Sequence, residues 1–149
     1  MKAYLTRRYK FSASHRLHSD SMSEAENRRT YGKCNNPHGH GHNYFLEVTV
    51  SGTPAPETGM ICNLADLDGF VERAILKQYR DSNLNCMEQF ENVVPTTENL
   101  CIELHRVLKN GFSAATVEKI RIQETMMNSF TYWSEDSSCK GPMNQAVAR

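Results

Sequence analysis

The sequence has no apolar run approaching the ~20 residues that a membrane-spanning helix needs. No apolar core of a secretory signal follows its first residues, Met-Lys-Ala-Tyr. A charge excess is also missing, because 17 Lys and Arg residues balance 17 Asp and Glu residues. Proteins that follow the phosphates of a nucleic acid normally carry a basic excess. We therefore expect neither a membrane nor a nucleic acid as a partner.

Cysteines in pairs are missing too. The chain has 5 cysteines, an odd number, and no Cys-x-x-Cys motif. This pattern argues against a disulfide framework and favours reduced thiols in the cytoplasm. With 149 residues, 39% of them hydrophobic, the chain is long enough to bury a core without cross-links.

The spacing of apolar residues changes along the chain. A repeat of two residues predicts a strand, and a repeat of 3.6 residues predicts a helix. The predicted elements are strands at 4–15 and 40–51, a helix from the N-cap Asn63 to about Tyr79, a helix from Thr96 that Gly111 ends as its C′ residue, and strands at 117–124 and 129–133. This order is typical of an α+β protein with an antiparallel sheet, here of four strands with helices on one face.

The segments between and after these elements indicate the domain limits. Residues 16–38 are polar, have little periodicity and are predicted to form a long loop, a kind of segment that is often functional. Residues 134–149 are predicted to be a polar tail, which leaves 1–133 as a single domain. The two edges of a four-stranded sheet need cover, and we expect oligomerisation to provide it.

Three histidines are predicted to form a metal site. His40 and His42 are separated by one residue, Gly41, so on a strand they face the same side. His15 ends the first predicted strand, and antiparallel pairing would bring it beside His40. Three imidazoles with an open fourth position are the ligand set of a catalytic zinc site. A His-x-His pair without such a third ligand is only a weak indication of metal binding.

Five motifs carry a resemblance to a known family. They are FSASHRLHS at 11–19, YGKCNNPHGHGHNY at 31–44, TGMICNLADL at 58–67, TTEN at 96–99 and QET at 123–125. In this order they resemble the 6-pyruvoyl-tetrahydropterin synthase family over nearly the whole chain up to about Trp133. The long loop before Cys34 is more similar to animal-type synthases than to their shorter bacterial relatives.

The resemblance implies a fold and an activity. The family has the tunnelling fold, in which a four-stranded antiparallel sheet carries two helices and three subunits close a β-barrel. Two such trimers stack into a homohexamer, a dimer of trimers, with active sites between subunits. The implied enzyme is a lyase that converts 7,8-dihydroneopterin triphosphate to 6-pyruvoyl-tetrahydropterin, eliminates triphosphate and needs no external redox cofactor.

The resemblance also assigns roles to residues. The matching positions are His15, His40 and His42 as ligands of Zn²⁺, Cys34 as the catalytic cysteine, Glu124 as the pterin anchor, and Thr97 and Glu98 as residues of the pterin pocket. A carboxylate can accept two hydrogen bonds from the amino and ring N–H edge of a pterin. A thiolate can accept the proton that the reaction releases.

One segment departs from the family. An Asp-His pair in a segment resembling LDHKNLN normally activates the cysteine, whereas residues 79–85 read YRDSNLN. Arg80 and Asp81 therefore occupy the positions of that pair. A free thiol is only a few per cent ionised at neutral pH. The charge of Arg80 would favour the thiolate of Cys34. Asp81 is a candidate to relay a proton, although its own charge disfavours the thiolate.

Several functions stay open at this point. The first candidate is the synthase reaction with a rearranged relay, which the persistence of the other site residues favours, or a weakened form of that reaction. The second is a related reaction, such as pterin side-chain cleavage or that of a 6-carboxy-tetrahydropterin synthase. The third is binding of zinc and a pterin without turnover.

Overall fold

The computed structural model describes residues 1–135, so the predicted tail from residue 136 onwards lies outside the described residues. Its elements are β1 (Ala3–His15), α1 (Glu24–Tyr31), β2 (His40–Gly52), α2 (Leu64–Val71), α3 (Lys77–Tyr79), β3 (Ser82–Asn83), α4 (Thr97–Gly111), β4 (Thr116–Gln123) and β5 (Ser129–Tyr132). In this part of the chain, no helix combines the length and the apolar character of a membrane span.

Strands β1 and β2 form a long antiparallel hairpin. Its register pairs Ala3 with Gly52 at one end and His15 with His40 at the other. Successive side chains alternate between the two faces, and the inward residues of β2 from Tyr44 to Val50 are fully buried. The predicted strands and the face on which they carry their apolar residues are confirmed.

The sheet has five strands in the order β3-β1-β2-β4-β5, so the prediction of four strands was wrong. The additional strand, β3, pairs with β1 in parallel and covers only Ser82 and Asn83. The other neighbouring pairs are antiparallel, as predicted. A strand of two residues is too short to show periodicity in the sequence. Only its pairing with β1 defines it as a strand.

One apolar core lies between the sheet and the helices that follow β2. Leu67 and Val71 of α2 and Leu100, Leu104 and Leu108 of α4 are all 0% exposed. They share a cluster with the inward residues of the strands. The first predicted helix is present as α2, a π-helical turn at Glu72–Leu76 and α3, and both predicted helices place their apolar stripe on the core.

Helix α1 lies in the segment that was predicted to be a loop. Its N-terminus is a capping box, in which Ser23 accepts from the N–H of Glu26 and Glu26 bonds back to the N–H of Ser23. The buried residue of α1 is polar, Asn27. The helix therefore has no apolar stripe for periodicity to detect, although the Ser-x-x-Glu capping signal is visible in the sequence.

Gly111 is the last residue of α4, with Phe112 as C-cap, and so the prediction that it follows the helix as C′ was wrong. A Cβ atom at Gly111 would lie 2.5 Å from the ring of Phe70. The glycine is explained by this close packing between α4 and α2.

Candidate active site

The three predicted metal ligands lie together at one end of the β1–β2 hairpin. The register pairs His15 with His40 and Ala13 with His42, and one nitrogen of each imidazole lies within 4.8 Å of the others. The Nε2 atoms of His15 and His40 are 3.2 Å apart. Two nitrogens bound to a tetrahedral zinc are about 3.3 Å apart. The nitrogens of His15 and His40 are thus already about as far apart as two ligands of one zinc ion.

The orientation of His15 also suits a ligand. Its Nδ1 lies 2.8 Å from the carbonyl oxygen of Pro95, and a carbonyl only accepts, so Nδ1 carries the hydrogen. The lone pair of Nε2 is then directed at the other rings, as in metal sites whose histidines are fixed by a second hydrogen bond. Nε2 of His42 is buried and has no hydrogen-bond partner among residues 1–135. Such an atom is unusual in a folded protein and fits a site that takes a cation.

Burial favours the neutral form of His15 and of His42. It lowers the pKa of both imidazoles, although the hydrogen bond to Pro95 opposes the shift at His15 and the Glu124 carboxylate opposes it at His42. Neutral imidazole is the form that binds a metal.

Glu124, directly after β4, brings a carboxylate to the histidines. Its Oε1 lies 3.5 Å from Nε2 of His42 and 3.7 Å from Nε2 of His15. Oε1 also accepts a hydrogen bond from Thr97 at 2.7 Å, and Oε2 accepts one from Asn128 at 2.7 Å. Burial opposes ionisation, but the hydrogen bonds from Thr97 and Asn128 hold the pKa of Glu124 below its ordinary value.

Thr97 and Glu98 begin α4 beside this carboxylate. Thr97 is 2% exposed and belongs to the cluster through its bond to Glu124. Glu98 is exposed in the first helical turn, and within residues 1–135 no hydrogen bond connects it to the histidines.

Cys34 lies in the 3₁₀ turn Gly32–Asn35, before the strand that carries His40, and is partly buried. Its carbonyl oxygen accepts a hydrogen bond from the N–H of Leu17 at 2.9 Å, which attaches this turn to the chain just beyond His15. Tyr44 is close enough to Glu124 and Cys34 to sense both groups. Burial, the Glu124 carboxylate and the Cys34 thiol raise the pKa of Tyr44, and the Thr97 side chain partly offsets this rise.

Over most of its length the chain is similar to known proteins. A family model for 6-pyruvoyl tetrahydropterin synthase matches residues 4–135. The chain belongs to this family. The 6-pyruvoyl tetrahydrobiopterin synthase of Poecilia reticulata is 46% identical over 133 residues, which are 89% of this chain and 90% of that protein. The human synthase is 43% identical over 135 residues, with 90% and 93% covered.

A solved structure supports the same assignment. The 6-pyruvoyl tetrahydropterin synthase of Caenorhabditis elegans matches with a TM-score of 0.85 and 39% identity, over 90% of this chain and 96% of that one. The family predicted from the motifs is confirmed, and with it a lyase-type enzyme.

The segment in which this member of the synthase family departs from the expected motif is well fixed. The guanidinium of Arg80 pairs with Glu72 at 3.2 Å, on the preceding helical turns. Asp81 has a φ of 56°, and its N–H donates to the carbonyl oxygen of Ser12 at 2.7 Å. Asp81 also lines an open cavity of about 490 Å³, which His42 borders as well.

The sequence did not reveal several of the supporting residues. Pro95 acts through its backbone carbonyl, and Asn128 lies in the turn between β4 and β5. Pro95 contacts His15, and Asn128 contacts Glu124. Both contacts exist because the start of α4 and the β4–β5 turn pack near the end of β1. The spacing of Asn128 four residues after Glu124 was the one signal available.

Proposed function

We propose that this chain converts 7,8-dihydroneopterin triphosphate to 6-pyruvoyl-tetrahydropterin with elimination of triphosphate, and that it uses zinc bound to His15, His40 and His42. The observation that carries the proposal is the position of the Glu124 carboxylate, 3.5 Å from His42, in a member of the synthase family. This short distance supports a pterin anchor directly beside the proposed metal site, as this reaction requires.

Zinc, when bound, supplies a Lewis acid that draws electron density from the substrate's side-chain oxygens and makes the adjacent C–H more acidic. The protein contributes the geometry of the donors. His15 is fixed by Pro95, and His40 and His42 are fixed by the rigid pairing of β2 with β1. This arrangement presents the three lone pairs with little reorganisation.

Glu124 is proposed to hold the pterin ring. Each carboxylate oxygen accepts one hydrogen bond from the protein, from Thr97 or from Asn128. A carboxylate offers about four acceptor positions, so positions remain on both oxygens for the amino group and a ring N–H of the pterin. Thr97 and Asn128 fix the plane of the carboxylate, and Glu98 is proposed to contribute at the rim of the same pocket.

Cys34 is proposed to accept the proton from the substrate carbon as a thiolate. In place of the family's Asp-His pair, we propose that Asp81 receives the thiol proton and that Arg80 stabilises the resulting charges. Arg80 pairs with Glu72 of its own chain. This pair does not speak against the proposed role of Arg80, because the proposed active site lies between subunits and includes residues of a neighbouring chain.

A homohexamer, built as a dimer of trimers whose sheets close into barrels, would cover the edges at β3 and β5. Such an enzyme would work in the cytoplasm.

The departure at Arg80 and Asp81 favours one group of alternatives. Without the usual pair, the same zinc and pterin pocket would suit a 6-carboxy-tetrahydropterin synthase or a pterin side-chain-cleaving enzyme. A protein that binds zinc and pterin without turnover is the other alternative.

The deciding experiment measures zinc per subunit and incubates the purified protein with 7,8-dihydroneopterin triphosphate. We expect about one zinc per subunit, release of triphosphate and 6-pyruvoyl-tetrahydropterin as the product. His15→Ala should lose zinc, whereas His38→Ala, at an exposed histidine, should retain it. Cys34→Ala should abolish turnover, whereas Cys86→Ala, at an exposed thiol, should not.

Other results would contradict the proposal in distinct ways. A different pterin product would favour the related activities. Bound zinc without any product from a dihydroneopterin would exclude the enzyme proposals and leave binding without turnover.

A further inference from the structure

Arg16 and Leu17, the two residues that follow His15, form backbone hydrogen bonds with other segments of the chain. Asn85, in the turn after β3, accepts from the N–H of Arg16 at 2.7 Å and donates to the carbonyl oxygen of Arg16 at 2.9 Å. Leu17 donates its N–H to the carbonyl oxygen of Cys34 at 2.9 Å. The end of β1 that carries His15 is therefore attached to the turn that carries Cys34.

Asn35 completes this attachment. Its Nδ2 donates to the carbonyl oxygen of Leu17 at 2.7 Å, so that both backbone groups of Leu17 are bound by consecutive residues, Cys34 and Asn35. Asn35 is only 7% exposed. Its own carbonyl oxygen accepts from Nε of Arg16 at 3.2 Å, and its Nδ2 lies 3.0 Å from Nδ1 of His18.

These contacts connect Asn35 to Cys34 and to the metal-binding end of β1, but not to the pterin anchor. Glu124 is held by Thr97 and Asn128, which belong to α4 and to the β4–β5 turn. A change at Asn35 should therefore move the thiol relative to the histidines and leave the pterin pocket in place.

We propose that Asn35 is a positioning residue for Cys34, because its carboxamide fixes the turn that holds the thiol against the end of β1. The inference rests on the proposed role of Cys34 in proton transfer. A displacement of about 1 Å of a reacting group can lower a rate by about 100-fold. Loss of the Asn35 side chain should thus lower kcat and change KM little.

The test compares Asn35→Ala with Asn27→Ala in the full-length zinc-bound protein. Asn27 is the matched control, because it is also buried and its side chain bonds the backbone of residues 19, 22 and 23 but not Cys34 or Leu17. Asn35→Asp serves as a second variant if Asn35→Ala does not fold, since it keeps the size and removes the donor.

Three quantities are measured in each variant: kcat and KM for 7,8-dihydroneopterin triphosphate, zinc content, and the rate at which iodoacetamide alkylates Cys34, determined on the Cys34 peptide by mass spectrometry. Alkylation of the exposed Cys86 is the internal reference. For Asn35→Ala we expect kcat to fall about 10- to 100-fold with KM within about twofold. The Cys34 alkylation rate should change at least about threefold relative to Cys86, whereas Asn27→Ala should lower Tm alone.

Two results would overturn the inference. One is that the Asn35 variants keep both kcat and the Cys34 alkylation rate within about twofold of the starting protein. The other is that Asn27→Ala changes both to the same extent, which would indicate a structural role only. If the starting protein has no turnover, the proposed function fails, and the alkylation comparison still decides whether Asn35 positions the thiol.

Discussion

Gly39 lies directly against the backbone of His15. A Cβ atom at Gly39 would be 2.9 Å from the carbonyl oxygen of His15, and the φ of Gly39 is 69°. Gly39, which precedes His40, therefore permits the close approach of the chain to the end of β1 at His15.

Substitution of Gly39 by Ala should weaken the proposed metal site. A non-glycine residue at positive φ costs roughly 1–2 kcal/mol of stability, and here the added methyl group must also displace the backbone of His15. We expect zinc affinity to fall by at least about tenfold, measured by competition with a chromogenic chelator.

Gly59→Ala is the control for Gly39→Ala. Gly59 has the same φ of 69°, but nothing lies within 4 Å of its added Cβ. It should lower Tm through backbone strain and leave zinc affinity unchanged. Equal zinc affinities in the two variants would refute a role for the contact with His15.

Gly111→Ala should destabilise the fold although alanine favours helices. The added Cβ would lie 2.5 Å from the ring of Phe70, and such overpacking typically costs about 1–3 kcal/mol. Gly69→Ala is the matched helix variant, because its Cβ meets only the end of the flexible Arg73 side chain at 3.0 Å. It should be neutral or stabilising by up to about 1 kcal/mol.

Urea unfolding of both glycine variants measures these effects. Phe70→Leu combined with Gly111→Ala should recover part of the lost stability, because the smaller side chain leaves room for the methyl group. If Gly111→Ala were as stable as Gly69→Ala, the packing explanation for Gly111 would be incorrect.

Asp68 should make stability depend on pH on the acid side. Hydrogen bonds from Arg7 at 3.0 and 2.8 Å, and from Tyr9 at 2.8 Å, hold the pKa of Asp68 below its ordinary value. Its stabilising effect is therefore fully present above the unfolded pKa of ~3.9 and is lost as pH falls through the folded pKa.

Asp68→Asn should lower Tm by about 1–3 °C at neutral pH, a small effect because Arg7 and Asp68 are partly exposed. The difference should shrink as the pH is lowered below ~4. Thermal melts across this pH range test the prediction, with Glu57→Gln at an exposed carboxylate as control. A Tm difference independent of pH would show that the ionised carboxylate is not its source.

Asp81→His should raise turnover if an imidazole is what the relay lacks. The φ of Asp81 is 56°, a conformation in which Asp, Asn and His are enriched among non-glycine residues. Histidine therefore fits the backbone at this position. We expect kcat to rise by about tenfold or more, since a positioned general base contributes about 100- to 10,000-fold.

Asp81→Asn is the control, because it fits the same backbone but cannot accept a proton, and it should lower kcat. Steady-state release of triphosphate measures both variants. An unchanged kcat in both would mean that a group other than residue 81 serves Cys34.

Much of the architecture could be predicted from local patterns. The alternation in β1 and β2 set the inward face and brought His15, His40 and His42 to one side, because pleated strands turn every second residue the same way. The apolar stripes of α2 and α4 likewise predicted the faces that pack on the sheet.

Other features had no local signal strong enough to predict them. β3 exists only because Ser82 and Asn83 meet β1, and α1 is held by a capping box around a buried asparagine rather than by an apolar stripe. Gly111 was misread as a cap because its contact with Phe70 is a long-range packing effect.

The sequence by itself determined the family, the three imidazoles and the carboxylate of Glu124, because these depend on residue identity and spacing. Only the tertiary structure decided how they are held. Pro95 orients His15, Thr97 and Asn128 fix Glu124, and Asn35 attaches the Cys34 turn to the end of β1. Apart from the bond between Asn128 and Glu124, which are four residues apart, these bonds join residues that are distant in sequence or act through backbone atoms. No linear pattern encodes such contacts.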